Sequence, residues 1–526
     1  MAQTQDRSQG RSGGIVADPS AAPPTFTGNN ALQIEEPLIF EIGQPGRCGV
    51  DLPEPPKVKD RLNGLARKGE TGLSGLSEPQ VVQHYTRLSQ KNYAIDMGVY
   101  PLGSCTMKHN PRINEKVARL PGLGDLHPLQ PQSTVQGALE VIDQLAYWLK
   151  TLTGMPAVAM SPAAGAHGET CGMMTIAAAL EAKGERARRK IVLEPESAHG
   201  TNPATAASLG LTVKAIPANE RGQVDLAALK AALGPDVAAI MLTNPNTCGL
   251  FESEIIDIAE AVHEAGAYFY CDGANFNAFV GRVRPGDLGI DCMHINLHKT
   301  FSTPHGGGGP GAGPVVLSAA LAPYAPYPWI VKDGERWRIA EEGADQQGKT
   351  IGRLKAFHGQ MGMFTRALAY MMSHGLDGLK QASEDAVLSA NYVMASLKDI
   401  MTPAFERPCM HECLFDDSFL KGTGVSTLDF AKAMIDEGYH PMTMYFPLVV
   451  HGALLIEPTE SQAKEDLDLF ISALRSLAER ARSGKEAEAF KAAPRFAPRR
   501  RLDETLAARK PVLRWRPSND FKQAAE

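Results

Sequence analysis

Long hydrophobic runs are absent from this sequence, which argues against a membrane-embedded protein. No apolar stretch approaches the roughly 18 residues that a membrane-spanning helix requires. Residues 1–14 also lack the hydrophobic core of a secretory signal peptide. We therefore expect neither a membrane partner nor secretion.

An excess of positive charge is absent as well. The chain has 53 Lys and Arg against 59 Asp and Glu, and its formal net charge is −6. Nucleic acids and anionic membranes are bound by clustered positive charge, so this composition argues against either as the main partner. The 526 residues, 43% of them hydrophobic, are enough for two domains with sizeable cores.

Cysteine is scarce and scattered, with eight residues in the whole chain. Small disulfide-stabilised domains carry cysteines at much higher density. Cys409 and Cys413 enclose His411, but no second pair completes a zinc site, so we predict a half-buried strand there and no metal. Reduced thiols in a cytoplasmic protein are expected.

The most informative motif that is present is a lysine next to a histidine. Lys299 follows His298 at the end of an apolar run, and glycines 306–309 come soon after. Enzymes that use pyridoxal phosphate (PLP) present their Schiff-base amine in this way, because partial desolvation leaves a neutral nucleophile. Lysines beside glycines are also common in solvated loops, so the motif alone leaves both interpretations open. The glycine run lacks the Gly-Lys-Ser/Thr ending of a P-loop, which argues against a nucleotide site.

An acid stands where a PLP enzyme would need one. Asp272 closes the apolar stretch 267–271, which reads as a short buried strand. A carboxylate at the end of a central strand points into the binding crevice of an α/β sheet, where it can keep the pyridine nitrogen protonated. Between Asp272 and Lys299 there is room for one crossover and one further strand. An Asp that only caps a turn remains the alternative.

A loop of small residues at 161–169 is a candidate for the phosphate. Gly165 and Ala166 would let the backbone approach closely, and a helix predicted to begin near Glu169 would offer its N-terminal amides. A plain glycine- and alanine-rich loop fits this segment equally well. Further along, His199 follows the strand-like stretch 191–195, where its ring could stack on a cofactor or simply be satisfied within a turn.

The alternation of strands and helices predicts an α/β fold with a doubly wound, mostly parallel sheet, followed by a smaller α+β domain. We divide the chain into a disordered arm (1–35), an N-terminal segment with a helix at 78–90 (36–129), a large domain (130–345), a small domain with helices at 359–373 and 465–480 (346–480), and a basic tail (481–526). The candidate strands are 191–193, 211–216, 238–242, 268–271, 293–297 and 314–317.

Five motifs make the resemblance to a known family specific. Residues 100–110, 197–203, 296–301, 304–310 and 456–460 resemble the P-protein of the glycine cleavage system, the PLP-dependent glycine decarboxylase. The resemblance extends from about residue 38 to 515 and covers the second half of the long single-chain form. The chain is therefore similar to subunit 2 of the two-subunit form, which implies a fold-type-I, aminotransferase-like architecture.

The resemblance implies roles for individual residues. Lys299 matches the Schiff-base lysine, Asp272 the carboxylate at the pyridine nitrogen, and His199 the histidine stacked on the ring. One departure is His167, where the long form commonly has glutamine. Further cofactor contacts are implied at Gly165, Ala166, Ala274, His298 and Thr300, and Tyr100, Ser104 and Cys105 lie in the motif that borders the substrate.

The implied activity is PLP-dependent decarboxylation of glycine, with release of CO2 and transfer of the aminomethyl group to the lipoyl arm of H-protein. The implied partners are lipoylated H-protein and a first-half subunit, in an α2β2 heterotetramer. Two alternatives are another fold-type-I PLP enzyme, such as a cysteine desulfurase or amino acid decarboxylase, and a scaffold subunit without catalytic activity.

Overall fold

The computed structural model describes residues 36–44, 46–59, 61–69, 71–306, 311–341 and 349–515. The predicted disordered arm, 1–35, lies outside the described residues, as do Gly307 to Pro310 and the end of the predicted basic tail. Contacts divide the chain into two compact units. The first comprises Met1–Ala94, Ile435–Gly438 and Glu488–Glu526, and the second comprises Ile95–Met434 and Tyr439–Ala487.

The helices are α1 (Ile39–Ile42), α2 (Glu78–Gln90), α3 (Arg112–Ala118), α4 (Gln136–Thr153), α5 (Gly165–Ala182), α6 (Thr201–Ser208), α7 (Leu226–Ala232), α8 (Ile255–Glu264), α9 (Leu297–Thr300), α10 (Met361–Leu397), α11 (Thr427–Asp436), α12 (Lys464–Arg482), α13 (Ala487–Ala492) and α14 (Glu504–Arg509). The predicted helices at 78–90 and 465–480 are confirmed as α2 and α12. The helix predicted at 359–373 is much longer, because α10 continues beyond a kink at Gly375, where φ is 64°. Within the described residues, no helix is both long enough and apolar enough to cross a membrane.

The strands are β1 (Ala157–Ala159), β2 (Ile191–Pro195), β3 (Thr212–Ile216), β4 (Val237–Thr243), β5 (Tyr268–Gly273), β6 (Cys292–Ile295), β7 (Val315–Leu317), β8 (Trp329–Asp333), β9 (Arg336–Ala340), β10 (Thr402–Pro403), β11 (Cys413–Asp416), β12 (Thr443–Met444) and β13 (Leu454–Ile456). Each of the six predicted strands is present to within two residues at either end. The short strand β1 and the hairpin of β8 and β9 were not predicted.

Strands β1 to β7 form one sheet in the order β1-β7-β6-β5-β4-β2-β3. The pairs from β3 to β6 are parallel, while β7 is antiparallel to both β6 and β1. Alternate residues of the central strands enter two different cores: Ile240 and Phe269 pack in one, Met241 and Tyr270 in the other. The predicted α/β class and mostly parallel sheet are therefore confirmed, and the carboxyl ends of β2, β4, β5 and β6 meet at one edge.

The second sheet is antiparallel, in the order β10-β11-β13-β12, and α10 and α12 belong with it to the predicted smaller α+β region. The stretch around Cys409 and Cys413 differs from the predicted half-buried strand. Cys409 precedes β11 and Cys413 begins it, and both are buried, as is His411 between them. The segment is buried because it packs against other apolar residues: Leu414 belongs to a buried cluster with Leu250 and Leu455. The predicted domain boundaries remain predictions.

Candidate active site

Lys299 lies in the single turn of α9, immediately after the central strand β6. The side chain is half-buried, and its Nζ donates a hydrogen bond to the backbone carbonyl of Ser104 at 2.7 Å. The motif at 100–110 therefore contacts the candidate Schiff-base lysine, although the two lie almost 200 residues apart. Ser104, which was expected to border the substrate, contacts Lys299 through its backbone carbonyl and not through its side chain.

Asp272 lies at the carboxyl end of β5 and is paired in register with His294 of β6. Its carboxylate is buried, accepts a hydrogen bond from the Ala274 amide at 2.9 Å, and lies 3.4 Å from His294 Nε2. Burial lowers the pKa of His294, whose Nδ1 lies 2.6 Å from the Tyr270 hydroxyl. A neutral imidazole that accepts from Tyr270 carries its proton on Nε2, which faces Asp272. These contacts are compatible with an Asp272 that only caps a turn and also with an Asp272 that pairs with a cofactor.

A second acid lies behind Asp272. With its amide oriented to satisfy both neighbours, Asn202 donates to Asp272 Oδ2 at 3.3 Å and to Glu169 Oε2 at 3.1 Å. Burial, followed by the charge of Asp272, raises the pKa of Glu169 to about 7. From the sequence, Glu169 was expected only at the start of a helix, and its contact with Asn202 was not predicted. An acid in the apolar face of a predicted helix was the available signal.

His199 is exposed at the start of α6, and it is joined to the same network. Its Nδ1 lies 2.8 Å from Thr201 Oγ1, and that hydroxyl donates to Glu169 Oε1 at 2.7 Å. The His199 ring meets Phe446 edge-on, with 5.8 Å between the ring centroids. His199 is therefore connected to Asp272 through Thr201, Glu169 and Asn202.

Helix α5 begins at Gly165, one turn earlier than predicted. The prediction was wrong because the small residues at 165–168 carry no hydrophobic periodicity. A Cβ atom on Gly165 would lie 2.6 Å from Asn296 Oδ1, and one on Gly168 would lie 2.8 Å from the Gly313 carbonyl. Ala166 is exposed, and His167 Nδ1 accepts from the Ala163 amide at 3.2 Å. The loop and the helix start thus form a close-fitting cradle.

Several buried polar atoms of Ser161 and of the segment 296–303, which reaches Gly165 through Asn296, have no hydrogen-bond partner among the described residues: Ser161 Oγ, Asn296 Oδ1, His298 Nδ1, Thr300 Oγ1 and Thr303 Oγ1. Buried polar atoms are normally satisfied in native proteins, so these atoms indicate a ligand that would complete them. Hydroxyl groups and helix N-terminal amides are the donors that a phosphate accepts from. The residues present therefore fit a phosphate-bearing cofactor. Burial lowers the pKa of His298 to about 3, so its ring is neutral.

The three residues that the resemblance assigns to the substrate border the same region in different ways. The Tyr100 ring stacks on His440 at 4.1 Å. Ser104 directs its amide and hydroxyl towards Glu412. The carbonyl of Cys105 lies 2.9 Å from His305 Nε2, and burial raises the pKa of the Cys105 thiol.

A buried lysine beside the site, Lys108, was not predicted from the sequence. Lys108 Nζ donates to Glu460 at 2.6 Å, to Asn277 at 2.8 Å and to the Thr300 carbonyl at 2.9 Å. Burial alone would lower the pKa of Lys108, but the charge of Glu460 and neighbouring hydrogen bonds raise it above its usual value. Its contacts join the motif at 100–110 to α9 and to the motif at 456–460. The available sequence signal for this contact was that Lys108 and Glu460 both lie in motifs of the resembled family.

Two family models match parts of the chain. The model described as "Aminotransferase class-V" matches residues 166–309, which contain Asp272 and Lys299. The model described as "Glycine dehydrogenase, C-terminal domain" matches residues 382–495, which contain Glu412 and Glu457. Asp272 and Lys299 therefore lie within one matched family model, and Glu412, which contacts Ser104, lies within the other.

Relatives match almost the whole chain. A Caulobacter vibrioides protein named "Probable glycine dehydrogenase (decarboxylating) subunit 2" is 67% identical over 505 residues, covering 95% of this chain and 96% of that protein. A Thermococcus onnurineus protein of the same name is 48% identical and covers 94% and 98%. A protein of the same name from Listeria monocytogenes is 48% identical and covers 92% and 99%.

Solved structures share the fold at low sequence identity. A glycine decarboxylase (P-protein) of the glycine cleavage system, in inhibitor-bound form, matches with a TM-score of 0.65 and 21% identity, over 84% of this chain and 93% of that chain. A glutamate decarboxylase of Lactobacillus brevis gives 0.61 and 12%, over 82% and 96%. A cysteine desulfurase of Thermococcus onnurineus gives 0.57 and 14%, over 73% and 96%. These likenesses confirm the predicted fold-type-I, aminotransferase-like architecture.

Proposed function

The chain belongs to the family of glycine dehydrogenase (decarboxylating) subunit 2, and from this membership we propose that it catalyses PLP-dependent decarboxylation of glycine. In the proposed reaction CO2 is released, and the aminomethyl group passes to the oxidised lipoyl arm of H-protein. The observation that carries the proposal is the convergence of Asp272 and Lys299. Asp272 pairs in register with His294 on β6, and Lys299 follows the same strand.

The residues that would hold PLP are arranged around this point. Lys299 supplies the amine, Asp272 the carboxylate for the ring nitrogen, and the amides at the start of α5 with Thr300 Oγ1 supply donors for the phosphate. Ala274 and His298 flank these groups in the chain. When bound, PLP supplies a cationic ring that accepts the electron pair left behind as CO2 departs.

The chain's own residues have separate tasks in this proposal. Asp272 is buried and held by the Ala274 amide and Asn202, so its charge would act on a ring nitrogen there without competition from water. The exposed His199 would stack its ring on the cofactor and help to orient it. Lys299 carries and returns a proton at its Nζ, which the Ser104 carbonyl orients. Tyr100, Ser104 and Cys105 border the space that we assign to glycine.

The alternative of a cysteine desulfurase is disfavoured by the thiols. Such an enzyme needs a reactive thiolate, and thiolates form where the pKa is lowered. Cys105, the cysteine in the motif next to Lys299, has its pKa raised by burial. The likeness to desulfurase and glutamate decarboxylase structures concerns the fold alone. A scaffold without catalytic activity would have no need of the buried carboxylate and lysine that this chain retains.

We also propose a first-half subunit as partner, in an α2β2 assembly, because the relatives carry the name "subunit 2". Large exposed apolar side chains, such as Leu52, Val58 and Leu65, support an extensive interface for the first unit of this chain. A cytoplasmic location is supported by the cysteines. All eight lie within the described residues and are free thiols there.

The experiment that tests the activity is the exchange of labelled bicarbonate into glycine. The co-purified subunits are assayed with PLP, with and without lipoylated H-protein, and the Lys299→Ala variant serves as the inactive control. We expect exchange that requires both PLP and H-protein. Faster release of alanine from cysteine, or of CO2 from a different amino acid, would contradict the proposed substrate.

A further inference from the structure

The turn around Ser104 has a backbone that is fixed from two sides. Ser104 has a φ of 62° and Thr106 a φ of 47°, a region that non-glycine residues rarely adopt. The Ser104 amide donates to Glu412 Oε2 at 2.7 Å. The Thr106 amide and hydroxyl donate to the two oxygens of Glu457, at 2.9 and 2.5 Å. Two carboxyl groups therefore hold in place the turn whose carbonyl accepts the hydrogen bond from Lys299.

These two carboxyl groups are completely buried and close together. Glu412 and Glu457 are both 0% exposed, and an oxygen of each lies within 4.8 Å of the other and of a His411 ring nitrogen. Two full negative charges at this separation, away from water, repel strongly. Burial raises the pKa of both, and for Glu412 the charge of Glu457 raises it further. One proton shared between the two groups removes the repulsion and leaves one negative charge.

The cation that faces this charge is Lys299. It favours ionisation of Glu412 and of Glu457, and it disfavours a charged His411. The other titratable groups that face the pair come from the surrounding segments and are Cys105, Cys248, His305, Cys409, His411, Cys413 and Glu460. Burial raises the pKa of the thiols and lowers that of the imidazoles, so these are neutral at neutral pH. Glu460 is already paired with Lys108.

We propose that Glu412 and Glu457 are positioning residues that share one proton, and that their remaining charge stabilises the protonated nitrogen of Lys299 across the Ser104 turn. The role is structural because the carboxyl groups keep the Ser104 carbonyl in hydrogen-bonding position to Lys299. It is also electrostatic because their remaining charge balances the charge of Lys299. The part that concerns Lys299 rests on the proposed function, since it assumes that PLP is attached there.

Glutamine can replace either carboxyl group with little change of shape. Glu412 Oε1 is only loosely contacted, at 3.5 Å from the Ser104 hydroxyl, so an amide nitrogen fits at that position. At Glu457, the Thr106 hydroxyl can turn from donating to accepting when it meets an amide nitrogen. Single substitutions keep one carboxyl group, whereas the double variant Glu412→Gln/Glu457→Gln removes the charge and keeps the size.

The first test is a pH titration of the visible absorption band of the PLP-loaded, co-purified protein. In the double variant we expect the Lys299 nitrogen to bind its proton about tenfold to a hundredfold more weakly, because a charge within several ångströms is lost. The single variant Glu412→Gln should shift the titration much less, because Glu457 then keeps the charge. The matched control is Glu252→Gln, which changes a buried carboxyl that bonds to Asn246 and should leave the titration unchanged.

The second test needs no cofactor. A carboxyl group with a higher pKa in the folded than in the unfolded chain binds extra protons on folding, so stability falls as pH rises above the ordinary Glu value of 4.5. Glu412→Gln cannot bind that proton. The melting temperature of the variant minus that of the unsubstituted protein should therefore increase steadily as the pH rises from about 4.5 to neutrality.

A double variant that titrates like the unsubstituted protein would overturn the electrostatic role. A melting-temperature difference that is the same at every pH would contradict the proposal that the two groups share a proton. The same proposal would be contradicted if the unsubstituted protein bound one metal ion tightly per chain and the double variant did not. If the unsubstituted, reconstituted protein shows no PLP band, the proposed function fails. The melting experiment then still decides whether the pair holds a proton.

Discussion

Replacing Asp272 by asparagine is expected to slow glycine decarboxylation strongly while leaving PLP bound. Asn has nearly the size of Asp, and its side-chain oxygen can keep the bond that the Ala274 amide makes at 2.9 Å. On the other side, Asn202 can turn its amide so that its oxygen accepts from the new amide nitrogen and from a protonated Glu169, whose pKa is raised to about 7. The substitution therefore removes the charge and little else.

The size of the effect follows from burial. Asp272 is 3% exposed, so water cannot replace the lost charge at the ring nitrogen. A charge-assisted hydrogen bond of this kind, strengthened in the transition state, is worth ~2–4 kcal/mol, which corresponds to a ~30- to 1000-fold loss of turnover. PLP affinity should fall less, because the phosphate contacts and Lys299 are unchanged.

The assay compares bicarbonate exchange with PLP content, measured by absorbance on the same preparation. The matched control is Asp291→Asn, because Asp291 immediately precedes β6, at the opposite end of that strand from Lys299, where it bonds to His263 and the Phe269 amide. That variant should exchange at nearly the unsubstituted rate per bound PLP. Turnover of Asp272→Asn within a few-fold of the unsubstituted protein would mean that Asp272 only caps a turn.

Three further predictions concern the lysine, the second acid and the assembly. Lys299→Ala should lose the visible PLP band and covalent labelling after borohydride reduction; labelling of another lysine, found by peptide mapping, would refute the assignment. Because the pKa of Glu169 is raised to about 7, loss of its proton should lower the free energy of unfolding of the cofactor-free protein by on the order of 3 kcal/mol as pH rises from 4.5 to 7. Glu169→Gln should flatten that pH dependence in thermal melts, and an unchanged slope would contradict it. Co-expression with the first-half subunit should give an α2β2 complex with two PLP by light scattering and cofactor titration; full exchange activity from this chain with H-protein alone would refute that.

The sheet could be predicted because its central strands are short apolar runs with clear ends. All residues of β4, Val237–Thr243, are buried, and only a strand covered on both faces has such a composition. The three-residue strand β1, Ala157–Ala159, is too short and too small in side-chain volume to carry a periodic signal. The antiparallel direction of β7 could not be predicted either, because strand direction depends on pairing and not on composition.

The candidate site was only partly predictable from the sequence, for a different reason. Lys299 and Asp272 follow strands that end at the same sheet edge, so topology alone brings them together. Glu412 bonds to Ser104 over a separation of 308 residues, and Glu457 bonds to Thr106 over 351. Contacts between segments that distant leave no trace in local composition. The motifs at 100–110 and 456–460 could be recognised, but not their contact.

The charges of the buried side chains suggest why these distant contacts exist. Lys108 is paired with Glu460, and that pair contributes no net charge to the site. Asp272 would face a protonated ring nitrogen, and a singly protonated Glu412 and Glu457 would face a protonated Lys299. Each of these three cations then has one carboxylate charge as its partner, so these pairs add no net charge to a region from which water is largely excluded. Losing any one partner leaves an uncompensated charge. This charge pairing explains why the turn at Ser104 and Thr106 contacts Lys299, although both residues adopt an unfavourable backbone conformation.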